Sequence, residues 1–225
     1  YLYYRVNDLL GILALESVRN ECLIIGEDLG TVPDGMDVLL KKNGVHSYRI
    51  FFFERSKADG GFISPIHYPE QAMAALTTHD MPTLRGFWHC DDLTLGRELG
   101  LYPDDDVLAR LRADRHEAKQ RILDSLHGHG VIPDSVPHDV NWAGMTTELN
   151  HGMQVHMCLG NCALFSTQLE DWLEMDQPVN VPGTSSEYPN WRRKLTRNLS
   201  EIFSNPALEH LARRMTEARY KAGSR

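Results

Sequence analysis

The order of apolar and polar positions along the chain predicts short strands that alternate with amphipathic helices. A helix is expected from about Asp8 to Asn20, because several of its leucine and isoleucine residues fall on one side. The continuous apolar run at 23–25 is typical of a parallel strand that is covered on both faces. Further strands are predicted at 48–53, which is rich in aromatic residues, and at 73–78. Glycines and prolines at 54–71 predict a loop that overhangs the last of these strands.

The second half of the sequence continues the same alternation. A long helix is predicted from about Asp104 to Leu126, because its apolar residues have helical spacing and its first turn is acidic. The later elements are expected in this order: a surface connection at 131–140, a helix at 147–159, a strand at 163–169, a turn at 182–184, a helix with a basic patch from Trp191, and a terminal helix from Pro206.

Composition narrows the possible functions. The 225 residues are 42% apolar, which is enough for one domain or part of a barrel. The longest apolar runs are far shorter than the roughly 20 residues that span a bilayer, and no signal-peptide pattern opens the chain. A net charge of -8 disfavours a nucleic-acid-binding protein. We therefore expect no membrane and no nucleic-acid partner, whereas a neutral sugar polymer is compatible.

The cysteines do not form the pattern of a disulfide scaffold. They indicate reduced thiols and hence a cytoplasmic location. Cys158 and Cys162 are four residues apart and lie near His151 and His156, so a metal site has to be considered. The spacing lacks the C-x2-C pairs of structural zinc sites, and we predict neither a metal nor another cofactor.

Two acidic motifs follow predicted strands. The sequence LIIGEDLGTVP at 23–33 places Glu27 and Asp28 directly after an apolar run. In an α/β barrel, residues at the carboxyl ends of the strands line the active site, so this pair suggests catalysis. The alternative is that the acidic pair caps the next helix or is simply solvated.

The second motif repeats the order of strand, polar tip and turn. In MAALTTHDMPTLRGFW, His79 and Asp80 follow the strand predicted at 73–78. Two carboxylates on different strands can divide the acid and electrostatic roles of a reaction between them. His79 could then hydrogen-bond a polyol substrate, or alternatively be satisfied by nearby backbone groups.

Three motifs together carry a resemblance to a known family. IIGEDLGTVP, ALTTHDMPTLRGFW and QPVNVPGTSSEYPNWRRK, in that order, resemble the carboxyl-terminal part of the amylomaltase family, the bacterial 4-α-glucanotransferases of glycoside hydrolase family 77. The resemblance covers nearly the whole chain. It implies an α/β fold in which residues 1–225 form the second half of an α-amylase-like (β/α)8 TIM barrel with helical insertions. The upstream half of the barrel is then expected to be missing from this chain.

The resemblance also implies a function and residue roles. Family members transfer α-1,4-glucan segments to acceptor sugars with a retaining mechanism. Glu27 matches the general acid/base, Asp80 matches the carboxylate that stabilises the transition state, and His79 matches a histidine that contacts sugar. The family's nucleophilic Asp lies on a strand before Tyr1, so the isolated chain is expected to be inactive and to need the upstream half of the barrel.

The substrate groove is expected to involve several other residues. Asp28 and Asn180 are predicted to bind a maltooligosaccharide or another α-1,4-glucan. Tyr68 would either stack on a sugar or pack beneath the loop that carries it. Two alternatives to a glucanotransferase stay open: a related α-glucan hydrolase or debranching enzyme, and a noncatalytic glucan-binding or structural fragment.

The assignment makes a geometric prediction. If Glu27 and Asp80 approach one sugar ring, both side chains should open onto the same cleft. Their carboxylates should then lie within roughly 10 Å of each other, since the two carboxylates of a retaining pair are about 5 to 5.5 Å apart.

Overall fold

A parallel β-sheet organises the computed structural model, which describes residues 2–223. Its strands are β1 (Ser47–Ile50), β2 (Ala72–Ala75) and β3 (Leu164–Ser166), and they lie side by side in chain order. A parallel bridge from Ile25 to His46 adds a fourth segment beside β1. Because all four segments are parallel and consecutive, their carboxyl ends lie along one edge of the sheet.

Helices precede the sheet, fill the connection from β2 to β3 and follow β3, whereas the connection from β1 to β2 is a loop. Their bounds are α1 Val6–Arg19, α2 Met36–Lys42, α3 Leu84–His89, α4 Asp91–Glu98, α5 Asp105–Gly128, α6 Thr147–Cys158, α7 Leu169–Trp172, α8 Leu199–Phe203 and α9 Pro206–Gly223, with a 3-10 turn at Pro65–His67. Side chains cap several of them: Asp104 accepts a hydrogen bond from the Val107 N–H group, and Thr83 accepts one from the Gly86 N–H group. None of the helices in residues 2–223 is both long and apolar enough to cross a membrane.

Most of the predicted elements are confirmed. The helices expected at 8–20, 104–126 and 147–159 correspond to α1, α5 and α6, and the terminal helix begins at Pro206. Residues 54–71 form the expected loop. The strands predicted at 48–53 and 73–78 are present but shorter, since β1 ends at Ile50 and β2 at Ala75. After β1 the chain turns at once, because the N–H groups of Phe53 and Glu54 both donate to the Ile50 carbonyl oxygen.

Two predictions are wrong. The apolar run at 23–25 is not a strand covered on both faces, since Leu23 is 55% exposed and Ile25 is 37% exposed. This run is joined to the sheet by one bridge on one side, so it forms an edge. Trp191 does not begin a helix: its φ of 60° is left-handed, and the chain stays irregular until α8. The Trp191 N–H group donates instead to the Val179 carbonyl oxygen at 2.9 Å, which folds the segment back as a loop.

The hydrophobic core lies between the sheet and helices α5, α6 and α9. Every residue from Leu149 to Cys158 of α6 is buried, and α6 packs extensively on α9. By contrast, α1 buries only Leu10, and most of the apolar side predicted for it faces outward. The core is therefore centred on the helices after β2, away from the amino-terminal helix.

Gly152 marks the closest approach of α6 to its surroundings. A Cβ atom at this position would lie 2.1 Å from Cγ2 of Ile132, which is itself buried. This Cγ2 methyl group is attached to the branched Cβ atom of Ile132, next to the backbone, and cannot move aside. Close packing therefore requires glycine at position 152.

Gly152→Ala should therefore lower the free energy of unfolding by about 1 to 3 kcal/mol or more, the usual cost of overpacking a core. The matched control is Gly11→Ala in exposed α1, where an added Cβ meets nothing within 4 Å. That control should be neutral or raise stability by up to about 1 kcal/mol. Denaturant unfolding of the two variants and the parent chain tests this, and equal midpoints for Gly152→Ala and the parent would contradict the packing argument.

Candidate active site

The segment after Ile25 carries the first acidic pair to the carboxyl edge of the sheet. Glu27 is exposed there. Burial, together with the negative charge of Glu27, raises the pKa of Tyr48. The Glu27 side chain is thus free to meet a ligand at this edge.

Asp28 is turned inward and has a different environment. Its side chain is only 6% exposed, its Oδ1 atom accepts a hydrogen bond of 2.8 Å from the Tyr48 N–H group, and Oδ2 lies 3.6 Å from an Arg49 nitrogen. These contacts tie the loop after Ile25 to β1. Both carboxylate oxygens of Asp28 thus have partners within the protein, and its expected role in substrate binding stays a prediction. The pair also does not cap the next helix, since α2 has Gly35 as its N-cap.

The tip that follows β2 brings together three of the predicted residues. Asn180 donates a hydrogen bond of 2.6 Å from Nδ2 to Oδ1 of Asp80, although the two residues are 100 positions apart. His79 Nε2 lies 3.5 Å from the same oxygen, and both side chains are about half exposed. Asp80 and Asn180 also line a cavity of about 170 Å³. The group formed by His79, Asp80 and Asn180, called the polar cluster below, offers a polyol several donors and acceptors.

Trp191 stands beside this cluster, where the sequence did not place it. Its ring centroid is 5.2 Å from that of His79, with the two rings tilted by 45°. The PNW tripeptide in the third motif was the signal that could have drawn attention to it.

A buried carboxylate supports the tip from below. The Thr77 hydroxyl donates to Asp171 Oδ2 at 2.5 Å and accepts from Gln168 Nε2 at 2.5 Å. The other carboxylate oxygen, Oδ1, accepts from the Leu84 N–H group at 2.8 Å. Asp171 therefore holds both ends of the segment 77–84 that carries the His79–Asp80 pair. One feature of the sequence could have indicated this role. Asp171 lies at the centre of the LEDWL stretch, close to apolar residues.

Tyr68 does not reach the site. It is 3% exposed, and burial is the main cause of its raised pKa. Of its two expected positions, the structure favours the packed aromatic beneath the loop. Tyr68 is therefore withdrawn as a sugar-binding residue, because a ring covered by its neighbours has no face left for a ligand.

Residues with metal-ligand chemistry meet away from the polar cluster. Burial raises the pKa of Cys158 to about 12 and that of Cys162 to about 11. Within residues 2–223, two other groups have ligand atoms that all lie within 4.8 Å of one another: His127, Asp134 and His138 in one, and His89, Asp91 and Asp176 in the other. Both groups are mostly exposed, and neither contains a residue of the candidate site.

A family profile and individual related sequences both match this chain to 4-alpha-glucanotransferases. The sequence profile of the 4-alpha-glucanotransferase family, glycoside hydrolase family 77, matches residues 1–200. A 4-alpha-glucanotransferase of Haemophilus influenzae is 42% identical over 209 residues, which are 93% of this chain and 30% of that protein. One from Mycobacterium tuberculosis is 30% identical over 203 residues, which are 87% of this chain and 26% of that protein.

Comparisons of structure give the same picture. The amylomaltase from Corynebacterium glutamicum superposes with a TM-score of 0.82 at 26% identity, over 97% of this chain and 32% of that one. The Streptococcus agalactiae amylomaltase, solved in complex with acarbose, matches with a TM-score of 0.64 over 96% of this chain and 35% of that one. Its 16% identity makes this a likeness of fold alone. The chain thus spans about a third or less of the length of these relatives.

The Asp171 carboxylate gives a testable dependence of stability on pH. Burial raises its pKa from 3.8 to about 6, while the hydrogen bonds from Thr77 and Leu84 oppose that rise. Because the folded-state value is the higher one, the stabilising effect of the bound proton is complete below about pH 4. It is lost as the pH rises through about 6. From pH 4 to pH 7 this group alone should lower the free energy of unfolding by about 2 to 3 kcal/mol.

Asp171→Asn keeps the shape of the side chain but does not titrate. The variant should therefore lack the pH-dependent contribution of residue 171 to stability. Its free energy of unfolding should fall less between pH 4 and pH 7 than that of the parent chain. Asp34→Asn, at an exposed carboxylate, serves as the control and should follow the parent. Identical pH dependence in the parent and Asp171→Asn, measured by denaturant unfolding, would refute the role given to the buried carboxylate.

Proposed function

This chain belongs to the 4-alpha-glucanotransferase family, glycoside hydrolase family 77, and we propose that it carries two catalytic carboxylates of a retaining glucanotransferase. In this proposal Glu27 is the general acid/base and Asp80 stabilises the transition state. The observation that carries the proposal is the polar cluster, in which Asn180 from the third motif meets His79 and Asp80 from the second. The activity belongs to the whole protein, of which this chain resembles about a third.

The sheet is proposed to be the second half of a (β/α)8 barrel. Four parallel segments in consecutive order, with α2 in the first connection and α3 to α6 in the third, support one arc of such a barrel, and the second connection is the loop 54–71. Exposed apolar side chains on α1 and at Leu23 and Ile25 support this proposal, and Ile25 lies in the segment at the open edge of the sheet. The rest of the whole protein would close the barrel and cover them, and residues 1–225 would form the carboxyl-terminal part of one catalytic domain.

The proposed chemistry begins with a proton held by Glu27. Glu27 gives this proton to the glycosidic oxygen of the leaving glucan, while an Asp elsewhere in the whole protein attacks the anomeric carbon. A covalent glycosyl-enzyme results. Glu27, now ionised, takes the proton from the 4-hydroxyl of an incoming glucan, which attacks the same carbon and releases the Asp. Configuration is retained because two displacements occur.

Asp80 is arranged to act by charge. Asn180 and His79 both approach its Oδ1 atom, whereas within residues 2–223 no hydrogen bond is made to Oδ2. The carboxylate is thereby oriented with one oxygen directed to sugar hydroxyls, and its negative charge opposes the positive charge that develops on the sugar ring. The separation of roughly 10 Å or less between the Glu27 and Asp80 carboxylates stays a prediction.

The substrates are proposed to be maltooligosaccharides or other α-1,4-glucans, without a cofactor. All four cysteines are free thiols, which supports a proposed cytoplasmic location. The excess of 31 acidic over 23 basic side chains makes nucleic acid an unsuitable partner. Transfer rather than hydrolysis requires that an acceptor sugar, not water, meet the glycosyl-enzyme.

The assignment of roles is tested in the whole protein with maltotriose as substrate. Glu27→Gln removes the titrating proton but keeps the size of the side chain, so transfer should fall by at least about 10²-fold. Asp80→Asn removes the charge and should lower kcat by about 10²-fold or more. Glu217→Gln, at an exposed position on α9, is the matched control and should keep the parent rate. Near-normal turnover in either site variant, with an unchanged Tm, would remove that residue from the mechanism.

Product analysis separates the alternatives. A glucanotransferase converts maltotriose into longer and shorter oligomers together, whereas a hydrolase only shortens it. Binding of maltooligosaccharide without any turnover would instead indicate a noncatalytic glucan-binding protein.

A further inference from the structure

Trp191 has an exposed apolar side chain and a strained backbone. Both features are energetically unfavourable when no ligand is bound. Its side chain is 63% exposed, although an indole ring is largely apolar. Its backbone has a φ of 60°, a left-handed conformation that L-residues with bulky side chains seldom adopt. Strained residues of this kind persist only where the surrounding structure enforces them, and they concentrate at functional sites.

Hydrogen bonds within the loop 178–193 enforce this conformation. The Trp191 N–H group donates to the Val179 carbonyl oxygen at 2.9 Å. Beside it, the Asn190 side chain accepts from the Val181 N–H group at 2.9 Å and donates to Thr184 Oγ1 at 2.8 Å. The backbone before the indole is therefore fixed at several points, so the position from which the Trp191 side chain leaves the loop is set before any ligand arrives.

The same loop reaches the polar cluster at two places. Asn180, near its start, holds the Asp80 carboxylate, and Trp191, near its end, contacts the His79 ring. The loop thus presents an amide donor and an exposed aromatic ring on either side of the His79–Asp80 tip. A pyranose ring has hydroxyl groups at its rim and C–H groups on its faces, so it needs this combination of polar partners and an aromatic face.

We propose that Trp191 is a stacking platform for a glucosyl unit of the α-1,4-glucan bound at the His79–Asp80 tip. This inference rests on the proposed function and adds a binding residue to it. The C–H face of the sugar packs on the indole, while its hydroxyls bond to the polar cluster. The left-handed backbone is the cost of holding the ring out for the sugar, which covers it on binding.

Trp191→Gly is the sharpest variant for this proposal. Glycine adopts a positive φ without strain, so the variant should fold with a Tm equal to or above that of the parent. It should nevertheless bind acarbose or maltotriose roughly tenfold more weakly, because the stacked face is lost. Trp191→Phe keeps an aromatic face and should lose clearly less. In the kinetics of the whole protein, the KM for maltotriose should rise more than kcat falls.

The control is Trp142→Gly, since Trp142 is 79% exposed and the ring contact recorded for His79 is with Trp191. Binding by this control should match the parent. Unchanged acarbose affinity and KM in Trp191→Gly, in a parent that is active, would overturn the inference and leave the proposed function standing. A large fall in Tm would also overturn it, because Trp191 would then be a packing residue covered by the rest of the whole protein. A parent that neither binds glucan nor transfers it would refute both proposals.

Discussion

The buried carboxylate of Asp171 is the constraint on which the polar tip after β2 depends. A carboxylate that is almost fully enclosed must be satisfied by hydrogen bonds, and Thr77 and Leu84 supply them from the two ends of the same short segment. The backbone oxygen of Asp171 also accepts from Asn150 on α6, whose side chain is in turn bonded to Gln154. One residue thereby connects the tip, α3 and the most buried helix of the molecule.

This connection gives the candidate site a rigid base and an open face. His79 and Asp80 stand on a segment whose ends cannot separate without exposing a buried charge, yet their own side chains are half exposed. Across from them, the loop 178–193 is held by its own hydrogen bonds and contributes Asn180 and Trp191. The buried hydrogen bonds below the site therefore fix the positions of His79 and Asp80. The exposed side chains above leave the site open to a ligand.

The exposed apolar side chains of this chain are of two kinds, which suit different contacts. On α1 they are aliphatic, occur on successive turns and continue to Leu23 and Ile25, which is the form of a surface that packs against more protein. Trp191 is a single aromatic ring surrounded by hydrogen-bonding groups. An aliphatic surface gains only from the removal of water, whereas an aromatic ring beside polar groups suits a ligand that is apolar on one face and polar at its rim.

The features that could be predicted from the sequence are those that depend on near neighbours. Apolar spacing and capping residues located α5, α6 and α9, and the three motifs identified the family and the polar tip that contains His79 and Asp80. Contacts between distant groups became visible only in the folded chain. It paired Asn180 with Asp80 across 100 residues, enclosed Tyr68, turned Asp28 toward the Tyr48 N–H group and made Asp171 a support. Helical period and capping are local and can be read from a few residues, whereas these contacts follow from the parallel order of the strands, which brings separate loops to one edge of the sheet.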